Sequence, residues 1–154
     1  PGSRRHSRLR REAIRFLIQA AWVRLEAGEH GIAVSARTVR RAFRARKREA
    51  FDSEREYRRF LRRRRQSERT FVFRVKIDLL QERLSGHVTA GAGDEVAQQQ
   101  ALDRIADDFP RKWRARTACA RPYVISECST EVARRAALAA RSGQGSLTVP
   151  ASRR

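Results

Sequence analysis

The chain has 154 residues, enough for one domain with a modest core, and its 40% apolar content leans heavily on alanine. Its 36 Lys and Arg against 17 Asp and Glu leave a net charge of +19, a field that attracts polyanions and works against a compact state. No apolar run reaches the roughly 18 to 20 residues of a membrane span, and no leader pattern opens the chain; it begins Pro1-Gly2 without Met, so any export signal is expected upstream of Pro1.

Residues 1 to 7 are basic and carry no helical pattern, so they read as a structureless lead. From Leu9 to about His30, Leu9, Ala13, Phe16, Leu17, Ala20, Ala21 and Leu25 recur at spacings of three and four, which predicts an amphipathic helix. Gly31 stands where a left-handed helix terminator belongs, and Ser35 is placed to cap a second helix running to about residue 50, with Val39, Ala42 and Phe43 on one face. Ser53 to Glu56 has the S-x-x-E form of a capping box and opens a short helix over 54–64 with Tyr57, Phe60 and Leu61. Ser67 then caps a long helix over 68–88 that carries Phe71, Val72, Val75, Leu79, Leu80, Leu84 and Val88.

"TAGAGD", residues 89–94, reads as a linker ending on Asp94, a possible cap. A fifth helix from about 95 to 116 presents Val96, Leu102, Ile105, Ala106 and Phe109, with Pro110 expected to kink or interrupt it. "YVISEC" suits a short extended piece. Beyond about residue 141 the Ala/Arg/Gly/Ser composition reads as a disordered basic tail.

The corner between the first two helices supports two readings. Ala27 and Gly31 have the interval of a bacterial helix-turn-helix, but Ile32 and Ala33 separate Gly31 from Val34-Ser35, and two extra residues would turn the second helix away from a DNA groove. In the other reading Gly31 ends one helix, Ile32 and Val34 plug the core beneath the bend, and Ser35 restarts the chain as a helix.

Cys119 and Cys128 are the only cysteines. They are too few for a zinc site and wrongly spaced for C-x-x-C redox chemistry. Two readings remain: a disulfide, contributing roughly 2.5 to 3 kcal/mol and suited to an oxidising exterior, or two buried thiols. Between Arg37 and Lys76 lie seventeen Arg and Lys against five acidic residues. Many of these guanidinium groups simply solvate helix faces; Glu26, Asp78 and Glu82 read as ion-pair partners for neighbouring Arg. A stripe of this kind can also bind polyanions or anionic surfaces without sequence readout.

"LIQAAWVRLEAGEHGIAVSARTV", followed by "FDSEREYRRFLRRRRQSERTFVFRVKIDLLQERLSGHV", resembles the first helices of the N-terminal domain of SurA-type and PrsA-type foldases, with order and spacing kept over about residues 12 to 88. That resemblance implies an all-α unit whose last helix packs back onto the first ones, a chaperone role for unfolded or exported polypeptides, and an extracytoplasmic location. Relatives often insert a parvulin peptidyl-prolyl isomerase domain where "TAGAGD" stands; no room is seen here for a domain of ~100 residues, and His6, His30 and His87 are the only histidines.

The expected organisation is therefore a helical chaperone-like domain over 8–120, a small extension over 121–140 that works with the Cys119/Cys128 pair, and a tail over 141–154. Gly31, Ile32, Val34 and Ser35 form the structural corner, and Phe43, Phe51, Tyr57, Phe60 and Phe73 are candidate client contacts, each equally readable as core. No catalytic residue, metal or cofactor is expected. A nucleic-acid-binding module is the alternative.

Overall fold

The computed structural model describes residues 3–120 and 123–129. Among them are five helices and no strand: α1 (Arg4–Glu29), α2 (Ala36–Ala50), α3 (Glu54–Arg64), α4 (Glu68–Thr89) and α5 (Glu95–Ala115). The expected 141–154 tail lies outside the described residues.

Each expected cap is present. Ser35, Ser53 and Ser67 accept hydrogen bonds from the backbone amides of Thr38, Glu56 and Thr70, and the Asp94 carboxylate accepts from Ala97 N at 2.8 Å. The capping box is offset by one residue: the Glu56 carboxylate accepts from Asp52 N at 3.1 Å, one position before the cap. α1 starts five residues earlier than the periodicity suggests. Ser3 is the reason: its hydroxyl accepts from His6 N at 3.3 Å and its carbonyl from Ser7 N at 3.1 Å, so a capped first turn forms without any apolar residue.

Two helices end in the same two-bond terminator. At α1, Ile32 N donates to Ala27 O (2.7 Å) and Gly31 N to Gly28 O (3.1 Å), with Gly31 at φ +66°. At α3, Gln66 N donates to Leu61 O and Arg65 N to Arg62 O, both at 3.1 Å, but here Arg65 holds the left-handed conformation at φ +50°.

By internal contacts the chain groups into two units. The larger one, residues 19–106, is built around α4, which buries Val75 and also Ile77. Residues two apart on a helix point in nearly opposite directions, so α4 is covered from two sides. One side joins a cluster of Val39, Phe43, Tyr57 and Val75, with Val34, Ala42, Phe51, Leu61, Phe71, Val72 and Leu79 packed on it. α2 lies along α4 in this cluster. Arg46 of α2 bridges Asp78 and Glu82 of α4 at 2.5 and 3.1 Å, and Arg83 donates to the carbonyl of Ala33 in the corner. Glu26 is buried and pairs with His30 Nε2 at 3.2 Å.

α1 turns another face inward than the expected one. It buries Ala20, Trp22, Val23, Glu26 and Ala27, while Leu9, Leu17 and Leu25 are more than half exposed. Ala20 and Ala27 are small enough for close helix approach, whereas leucines set the sequence pattern only by their number.

The other unit contains residues 3–18, 107–120 and 123–129 among those described. Thus the end of α5 groups with the start of α1, as a returning last helix requires. Trp113, Ile125, Glu127 and Cys128 are buried. Arg15 binds the Glu127 carboxylate at 2.6 Å and Ser126 donates to it at 2.8 Å. Burial opposes this charge, but those hydrogen bonds outweigh it and hold the carboxyl below the ordinary range. Cys119 and Cys128 have their sulfurs at bonding distance, 1.98 Å, and their Cα atoms 5.7 Å apart.

Two local expectations are corrected. α5 runs unbroken through Pro110; the carbonyl that proline leaves unpaired belongs to Ala106, which is exposed and open to water. "YVISEC" is no strand, and among the described residues no second strand is there to pair with it. Cys128 N donates instead to Ile125 O at 3.0 Å, closing a turn, and Ile125 N donates to the Cys128 sulfur at 3.3 Å.

The two terminators give opposite predictions. No atom lies within 4 Å of a Cβ added at Gly31, so only its positive φ resists substitution. Gly31→Ala is expected to lower stability by about 1 kcal/mol and Arg65→Gly to raise it by about 0.5 to 1 kcal/mol, read from shifts in the urea midpoint. Equal shifts of one sign would contradict the shared geometry.

Candidate functional site

α2, the α2–α3 junction, α3 and α4 each bring aromatic rings to one place. Tyr57 of α3 touches Phe51 (5.2 Å between centroids), Phe43 (6.3 Å) and Phe71 (6.4 Å), and Phe60 closes the set against Phe51 (5.2 Å) and Phe71 (5.6 Å). Edge and tilted arrangements of this kind favour the rings' quadrupoles. Beside them opens a cleft of about 250 Å³ lined by Phe43, Phe51, Tyr57, Phe71 and Val75, with Arg46, Lys47, Arg74 and Asp78 at its edge.

Lys47 organises that edge. Its Nζ stands 4.1 Å from the centre of the Tyr57 ring and 5.9 Å from that of Phe43, and pairs with Glu54 at 2.7 Å and Glu68 at 3.9 Å. The hydrogen bond from Lys47 holds the Glu54 carboxyl below its usual range. Tyr57 is only 1% exposed, and its hydroxyl is buried without a hydrogen-bond partner. Burial first, then the negative charge of Glu68, pushes its pKa up to about 12.

A second groove, of about 310 Å³, runs beside Val34, Ala36, Val39, Val72 and Phe73, with Arg40, Arg69 and Lys76 around it. The five aromatics singled out from the sequence therefore divide. Phe43 (9% exposed) and Tyr57 hold the core, whereas Phe51 is half-buried in the first cleft, Phe60 is half-buried against Phe51 and Phe71 outside its lining, and Phe73 is half-buried in the second groove. Phe71, which the sequence reading left as a core position, completes the ring cluster. Its signal was its place one turn beyond the Ser67 cap, where α4 faces the end of α3. At the corner, Val34 packs on the core cluster and Ser35 caps α2; Ile32 is half-buried outside that cluster. α2 buries Val39 and Phe43, so it lies against its neighbours and does not stand away as a reading head.

The sequence profile of the SurA-like N-terminal domain matches residues 3–85, a span that contains α1 to the last turn but one of α4 and both grooves. The chain belongs to the SurA-like N-terminal domain family. No curated protein and no solved structure matches it. Family membership places the chain among chaperone-related proteins of the peptidyl-prolyl isomerase group, whose SurA-like domains bind polypeptide clients in general. None of these comparisons favours a nucleic-acid-binding module. Among the described residues, no group of three His, Cys, Asp or Glu side chains is arranged to hold a metal ion, and no helix is long and apolar enough to cross a membrane.

The unpartnered hydroxyl of Tyr57 gives a pH prediction. Its folded pKa is raised, so the unfolded chain loses the proton first; stability is complete below about pH 10 and falls as pH rises towards about 12. Tyr57→Phe is expected to keep or slightly raise stability at neutral pH, by up to about 1 kcal/mol, and to flatten the alkaline decline, measured by urea denaturation from pH 8 to 11. A loss of more than about 1 kcal/mol at pH 7 would mean that the hydroxyl has a bonding partner.

Proposed function

We propose that this chain is an ATP-independent chaperone module that holds unfolded or exported polypeptides in the grooves flanking the α2–α4 pair, without isomerase catalysis of its own. The observation that carries this reading is the match of the SurA-like N-terminal domain over residues 3–85, the region containing both grooves. Their form suits the task. Each has an apolar floor of buried and half-buried side chains within a charged border, wide enough for a few client side chains at a time and too shallow to enclose a small substrate. Such surfaces bind weakly and exchange readily, which a holdase needs. Among the described residues no side-chain set suggests bond chemistry, and the proposed role is one of binding.

We further propose that the module works outside the cytoplasm and that the Cys119–Cys128 bond forms there. The bond ties the segment after α5 to the turn at Ile125, in the unit that also holds the Arg15–Glu127 pair. The arginines of α3 give the protein a general, salt-screened attraction to polyanions and anionic surfaces.

At physiological salt and severalfold molar excess, the protein is expected to suppress aggregation of a reduced, unfolded client. Phe51→Ser with Phe60→Ser should reduce this severalfold while helicity by circular dichroism is retained. No suppression by the wild-type chain would contradict the proposal. Alkylation of the unreduced protein followed by mass spectrometry should find no modified cysteine; two modified cysteines would remove the support for an oxidising compartment.

A further inference from the structure

The two grooves differ in how their cations are engaged. Beside the aromatic cleft, Arg46 is held by Asp78 and Glu82 and Lys47 by Glu54. The groove at Val34, Val39 and Val72 has no acidic residue in its lining, and among the described residues Arg40, Arg69 and Lys76 make no side-chain hydrogen bond or ion pair. Three uncompensated cations around an aliphatic floor call for an occupant that supplies both carboxylates and apolar side chains.

We propose that this groove selects acidic apolar segments of polypeptide clients; the inference rests on the chaperone reading and adds to it a substrate class. The cations stand on both walls, Arg40 on α2 and Arg69 and Lys76 on α4. Arg69 and Lys76 are two helical turns apart, about 10 Å along the axis. An extended peptide places side chains i, i+2 and i+4 on one face over about 13 Å, so carboxylates at i and i+4 come within reach of these two long cationic side chains while the side chain at i+2 enters the groove. Guanidinium groups bind carboxylates in a directed, two-bond manner. The floor argues against nucleic acid as the intended occupant: Val34, Val39 and Val72 bury aliphatic groups well but give bases no flat ring to stack on, leaving only Phe73 for that purpose.

Fluorescence anisotropy on the full chain tests this with three labelled peptides that share one apolar sequence and carry Asp and Glu, Asn and Gln, or Lys at the polar positions. The acidic peptide is expected to bind about tenfold more tightly than its amide counterpart at physiological salt. The triple variant Arg40→Gln/Arg69→Gln/Lys76→Gln should erase that preference. A control triple on α3, Arg55→Gln/Arg59→Gln/Arg62→Gln, removes the same charge from exposed side chains outside both grooves and should largely retain it. If the groove triple does not fold, the single Arg69→Glu change at an exposed position reads the same ratio, which should fall severalfold. Equal losses in both triples would overturn the proposal in favour of the overall field. So would a single-stranded oligonucleotide that outcompetes the acidic peptide and depends on the same three residues. Suppression of client aggregation without any acidic preference overturns this inference alone; absence of suppression overturns the chaperone reading, and the peptide ratios still decide the groove.

Discussion

Tyr57 is the point at which three helices are made to share one core. α3 has eleven residues, six of them arginine, and Tyr57 is its buried side chain. A helix that short and that polar has little stability of its own. It is held because the Tyr57 ring enters between Phe43 of α2, Phe51 at the junction and Phe71 of α4, with the Lys47 ammonium above the ring and two carboxylates beside that ammonium. Burying an aromatic body of this size outweighs the stranded hydroxyl at its tip. The aromatic cleft, the place of Lys47 and the distance between α2 and α4 follow from that one insertion.

α4 carries the rest. Because Val75 and Ile77 are both buried, the helix serves as a central post, and what packs on it is decided by where neighbouring helices end. The Gly31 terminator directs the chain so that Val34 reaches the core and Ser35 begins α2; the Arg46 bridge to Asp78 and Glu82 then holds α2 against the post. Val39 and Phe43 are turned inward and also line the two grooves, which therefore open at the edges of the α2–α4 contact. The shape proposed to hold a client is thus a by-product of the core's own geometry, and the differing charge of the grooves follows from which cations have acidic partners within the chain.

Much of this was legible before any coordinates, for physical reasons. Caps are local: Ser35, Ser53, Ser67 and Asp94 satisfy amides three residues away, so the limits of α2, α3 and α4 and the start of α5 could be read from short stretches, and Gly31 announced the bend. The SurA-like resemblance, which the family match over 3–85 bears out, supplied the all-α arrangement. Other features were hidden because they are decided at a distance. Which of Phe43, Phe51, Tyr57, Phe60 and Phe73 would be core depends on rings contributed by other helices, and the pairing of Arg46 with residues 78 and 82, or of Arg15 with residue 127, has no local trace. α1 misled because its leucines drew the pattern while its alanines and Trp22 did the packing. Ser3 was passed over for want of an apolar residue after it.

The central claim, that the Tyr57 insertion joins α2, α3 and α4 into one cooperative body, is most directly tested by native-state hydrogen exchange on Tyr57→Ala. Amide protection is expected to fall together in residues 36–50, 54–64 and 68–80. Loss confined to 54–64, with α2 and α4 as protected as in the wild type, would contradict the account.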